Sequence, residues 1–199
     1  MKLLPKHLFV VLTGLLMAAP AAASPLWFTA TLDGATENPP TGSAGTGTAL
    51  VSYDAATHTL AIHVDFTGLT GTTTASHIHC CTAAAMTGNA GVATETPSFS
   101  LFPLGVTTGT FDESYDLTNA ASFNAAFVTA QGSVAAAEAA LVAGMMDGTA
   151  YLNIHSSTNP GGEIRGFLAP APAGEVPEPA TLFLCASLIG LWRLRRRPV

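Results

Sequence analysis

The chain has 199 residues, of which 48% are hydrophobic and only 10% charged. Seven Lys and Arg face thirteen Asp and Glu, but Lys2, Lys6, Arg193, Arg195, Arg196 and Arg197 all lie near the termini, so the intervening stretch holds twelve acids and a single cation, Arg165. That balance excludes a nucleic-acid partner, because such a surface repels phosphate backbones. With Cys185 near the C-terminus, the same stretch holds only the adjacent Cys80 and Cys81, which allow no disulfide framework except a vicinal bridge.

Taken in chain order, the first element is a targeting segment. Lys2 and Lys6 precede an apolar run from Leu8 to Met17, and Ala21-Ala22-Ala23 follow, which is the pattern of a signal peptide cut before Ser24. The folded domain is expected over 24–169, a length that buries a sufficient core without staples. Its first strand is predicted over Leu26–Leu32, where Trp27, Thr29 and Thr31 alternate with Phe28, Ala30 and Leu32. Strands over Ala49–Tyr53 and Thr59–Phe66 form a hairpin through Asp54-Ala-Ala-Thr57, with Leu60, Ile62, Val64 and Phe66 facing the core. Further strands are predicted over 73–81, 108–115, 149–155 and 163–168. Ser133–Met146 reads as a helix with Ser133 as N-cap and Val134, Ala137, Leu141 and Met145 on one face; Ala120–Ala130 is a second helical candidate. This spacing predicts a mainly β fold, a Greek-key, immunoglobulin-like or superoxide-dismutase-like sandwich with one or two short helices. Residues 170–176 form a Pro- and Ala-rich linker.

The end of the chain has its own grammar. Pro177-Glu178-Pro179 is followed by a mainly apolar run of thirteen residues, Ala180–Trp192, then by Arg193, Arg195, Arg196 and Arg197. The run is shorter than the roughly 20 residues of a comfortable membrane helix, and the terminal arginines fit the positive-inside rule. This order of elements resembles the PEP-CTERM sorting signal of Gram-negative bacteria. The resemblance implies an exported protein of the cell envelope or surface, transient inner-membrane association through the tail, and processing by an exosortase-type enzyme. It also implies extracellular polysaccharide or surface proteins as partners.

Within the domain four motifs stand in order: Leu32-Asp-Gly-Ala-Thr-Glu-Asn-Pro-Pro40, His77-Ile-His79, Tyr151-Leu-Asn-Ile-His155 and Gly162-Glu-Ile-Arg-Gly166. Together they resemble the CHRD domain, described first in chordin and present in many secreted bacterial proteins. The resemblance covers Phe28–Leu168 and implies a β-sandwich-like fold in an extracellular setting, with no settled activity for the bacterial members.

The residues themselves suggest a metal. On a strand His77, His79 and Cys81 share one face, and two imidazoles with a thiolate suit a borderline ion, copper or zinc. His155, on a later strand, is a further candidate ligand. The set His77, His79, His155 and Arg165 is similar in order to the copper-zinc superoxide dismutases. Residues 80–92 contain no histidine or aspartate, so the bridging histidine and zinc site of that family have no counterpart. Arg165 is expected in a structural ion pair with Glu163, two residues away on its own strand, or with Glu37. His58 and His63 read as ordinary surface or strand residues. No nucleophile elbow, phosphate loop or marked carboxylate pair argues for an enzyme, and the leading expectation is a binding or structural module of the cell surface.

Overall fold

The computed structural model describes residues 24–172. The expected signal peptide, the later part of the linker and the sorting tail, with Pro177, Glu178, Pro179 and the four arginines, lie outside the described residues. Among the described residues eight strands form one antiparallel sheet: β1 (Leu26–Asp33), β2 (Thr46–Asp54), β3 (Thr59–Thr67), β4 (Thr73–His79), β5 (Gly109–Asp116), β6 (Tyr151–Ser156), β7 (Ile164–Phe167) and β8 (Ala169–Pro170). Their order across the sheet is β4-β6-β7-β1-β2-β3-β5, with β8 paired to β1. The sheet curls until its two ends meet. Thr73 N–H donates to Val106 O at 2.7 Å, Gly105 N–H to Thr73 O at 2.9 Å and Leu69 N–H to Thr107 O at 3.1 Å, which ties the start of β4 to the approach of β5.

The period-two patterns produce the expected faces. Phe28, Leu32, Val51, Leu60, Ile62 and Val64 are all buried on the concave side, joined by Ile78, Leu152, Ile154 and Ile164. The β2–β3 hairpin turns as the sequence suggests, and Asp54 Oδ1 accepts the Ala56 N–H at 2.8 Å. Pro170, expected in the linker, belongs to the sheet instead: it pairs with Phe28, and Ala171 N–H donates to Trp27 O.

Two helices close the concave side. α1 (Ala125–Gln131) starts at Asn124, whose side chain accepts the Ala126 N–H, and α2 (Val134–Met146) starts at Ser133, whose hydroxyl accepts the Ala136 N–H at 3.1 Å. Such caps satisfy donors that a helix cannot pair internally. Ala137, Leu141 and Met145 are fully buried, and the Tyr53 hydroxyl donates to Glu138 Oε1 at 2.6 Å, holding α2 against β2.

A candidate metal centre of three histidines

Strand pairing decides which side chains meet on the face opposite the core. His77 lies across from Asn153 and His79 across from Tyr151, and Asn153 in turn lies across from Arg165. His77, His79, Tyr151, Asn153, His155 and Arg165 therefore share one side of β4, β6 and β7. The loops that follow β4 and β6 fold over this part of the sheet and leave His77 and His79 buried and His155 partly exposed.

Each imidazole is held by one nitrogen. His77 Nε2 lies 2.7 Å from Pro97 O, His79 Nδ1 2.9 Å from Ala90 O and His155 Nδ1 2.9 Å from Pro160 O. A carbonyl can only accept, so these three nitrogens carry the protons and the other three present lone pairs. His77 Nδ1 and His155 Nε2 face each other at 3.3 Å, and His79 Nε2 is buried with no partner. One ring nitrogen from each histidine lies within 4.8 Å of the other two, and this is the one such cluster among the described residues. Burial pushes all three pKa values down, His79 to about 4, so the rings stay neutral at physiological pH. The set fits a borderline cation. The His77–His155 edge of 3.3 Å is what tetrahedral bonds of about 2.0–2.1 Å require, and the His79 nitrogen lies within 4.8 Å of both. The backbone carbonyls are the outer partners that orient ligating imidazoles.

Supporting contacts surround the cluster. The Tyr151 ring stacks on His79 at 4.8 Å between centroids, and its hydroxyl lies 3.2 Å from Ala90 N and 3.3 Å from Ala90 O, the carbonyl that also holds His79. Arg165 lies over Tyr151 at 4.6 Å.

Two expected roles need correction. Cys81 is not with the histidines. The strand ends at His79, where Val92 bridges to it and Cys80 N–H donates to Gly91 O, so alternation stops before residue 81. Cys81 is instead bonded to Cys80 as a vicinal disulfide, its sulfur 3.6 Å from Ala140 O of α2. Glu163 does not pair with Arg165. It precedes β7, and its buried carboxylate accepts from the Ser43 and Ser156 hydroxyls and from the N–H groups of Thr70 and Gly71. Burial alone would raise the pKa of Glu163, but these bonds together bring it down to about 2.

Arg165 pairs with Glu37, Nε to Oε2, at 3.8 Å, and it donates to Thr36 O at 2.6 Å and to Asn89 Oδ1 at 2.7 Å. The guanidinium thus joins β7 to the loop after β1 and to the loop after β4. His58 and His63 lie apart from the cluster, His58 on Glu138 at 2.8 Å and His63 between Asp112 and Asp65 at 2.6 and 3.1 Å. The carbonyls of Ala90, Pro97 and Pro160, and the Asn89 side chain, escaped the sequence reading because they sit in aperiodic loops. Tyr151 was accessible to it, since period two puts residues 151, 153 and 155 on one face.

A family model, CHRD domain, matches residues 28–168. The chain belongs to the CHRD domain family. No curated protein and no solved structure matches it. The match runs from Phe28 of β1 to Leu168 after β7, so the three histidines, Glu37 and Arg165 are all part of the CHRD domain.

Proposed function

We propose that this CHRD domain is an exported surface or matrix module whose working part is a metal site, with His77, His79 and His155 holding one copper or zinc ion. The observation that carries the reading is the convergence of three lone pairs whose rings are each fixed from behind by a backbone carbonyl. Neutral imidazole suits copper and zinc alike, and affinity at such a site rises toward copper along the divalent series. Three protein ligands leave a coordination position for water or an exogenous ligand. Export, residence in the envelope and exosortase-type processing of the tail rest on the terminal sequence patterns. The dismutase likeness extends to the order of the histidines and Arg165, but the guanidinium is taken up by Thr36, Asn89 and Glu37.

Metal analysis of the purified protein after equilibration with copper or zinc and removal of excess tests this reading. One equivalent per chain is expected, lost in a folded His77→Ala/His79→Ala variant. Metal retained equally by both proteins, or by neither, would sink it.

A further inference from the structure

The other half of the same sheet face presents a different surface. The register of β1, β2, β3 and β5 puts Trp27, Ser52, Ala61 and Ser114 in one row across four strands. Leu50, His63 and Asp112 stand side by side in the next row, and Thr31, Thr48, Asp65 and Thr110 in the one after. Rows of this kind are regular because neighbouring strands lie about 4.8 Å apart and alternate residues about 6.8 Å apart. A shallow groove of about 480 Å³ runs over the first two rows, with the half-buried Trp27 in its lining. Beside it His63 bridges Asp112 and Asp65 and fixes how both carboxylates point.

The chemistry of this face selects its partner. It carries no lysine or arginine, and the exposed carboxylates of Asp65 and Asp112 repel polyanions, whether nucleic acid, acidic polymer or anionic lipid. A protein docking site draws on several aromatic and arginine anchors around an apolar centre; here there is one indole, with Leu50 and Ala61 as the apolar floor. What remains is a donor-rich, uncharged chain that lies flat. An indole stacks on the C–H face of a sugar ring, while aligned hydroxyls and an oriented carboxylate accept and donate around the ring's edge.

We propose that the outer face of β1, β2, β3 and β5 binds a neutral polysaccharide, with one sugar ring on Trp27 and Ser52, hydroxyls of the neighbouring rings on Ser114 and Asp112, and the chain continuing over the threonine row. The surface is separate from the histidine cluster and does not need a metal.

Retention of the purified protein on insoluble cellulose, chitin and β-1,3-glucan tests this, with alginate as the acidic control. Retention on at least one neutral polymer is expected, unchanged in half-molar salt and in the His77→Ala/His79→Ala variant. Trp27→Ala and, separately, the exposed Asp112→Ala should each weaken it about tenfold while the circular dichroism spectrum stays the same. No retention on any of the three, retention that salt abolishes, or equal retention by folded Trp27→Ala and Asp112→Ala variants would overturn the proposal. Because the histidine variant is expected to keep this binding, failure of the metal reading and failure of this one are separate results.

Discussion

His77 Nδ1 and His155 Nε2 face each other at 3.3 Å while Pro97 O and Pro160 O hold the opposite nitrogens of the two rings. Two lone pairs at that distance repel, and a bound cation turns the repulsion into attraction. Metal should therefore stabilise the fold. At a free-ion concentration one hundred times the dissociation constant, linkage gives about 2.7 kcal/mol, which for a domain of this size raises Tm by roughly 5–10 °C. A thermal scan with zinc, then with zinc and a chelator, checks this. The rise should vanish with chelator and in His155→Ala; an unchanged Tm in the parent would count against the site.

Glu163 makes the acid limb of stability. Its folded pKa of about 2 lies below the ordinary 4.5, so the folded state binds its proton more weakly than the unfolded chain does. The stabilisation is fully present above pH 4.5 and is lost as pH falls toward 2, with a size of about 3 kcal/mol. Denaturant midpoints measured from pH 6 to pH 2 should fall steeply in the parent. Glu163→Gln should start several kcal/mol less stable and show a shallower slope; a parallel curve would mean the carboxylate is not held as described.

Glu37 acts in the other direction. Burial raises its pKa to about 7, against the lowering effect of Arg165 and of the Asn38 N–H. A carboxyl whose folded pKa exceeds its unfolded value stabilises most below the unfolded pKa and loses that contribution as pH rises through the folded one. Stability should decline by up to about 3 kcal/mol between pH 4.5 and 8, and Glu37→Gln should flatten that decline. Chemical denaturation across this range is the measurement, and identical slopes in the two proteins would refute the assignment.

Much of this was legible in the residues. Period two exposed the buried faces of β1 and β3 and put His77 beside His79, because a strand's alternation is written directly in the chain. Ser133 announced α2 through its capping hydroxyl. The ligand partner His155 was readable as a candidate but not as a neighbour, since only the β4–β6 register brings it to His77. Cys81 misled for a related reason. Alternation predicts a face only while the strand lasts, and nothing local marks His79 as its last residue. The Arg165 partner was open between Glu163 and Glu37; the loop conformations that give Glu163 its own hydroxyl and N–H donors leave no periodic trace.

Gly144 joins the helix to the cysteine corner. A Cβ there would sit 2.9 Å from Cys81 Sγ and closer still to Cys80 Sγ, so α2 approaches the disulfide only because residue 144 has no side chain. Gly144→Ala should cost about 1–3 kcal/mol through overpacking. The same change in a Cys80→Ala/Cys81→Ala background removes the clash, and alanine's better helix propensity, about 1 kcal/mol over glycine, should make it neutral or stabilising. A double-mutant cycle by chemical denaturation separates the two terms. Since Cys80 directly follows His79, a large coupling energy would mean that α2 helps to fix the end of β4, and with it one of the three histidines. Equal costs in both backgrounds would show that the helix is placed without reference to that corner.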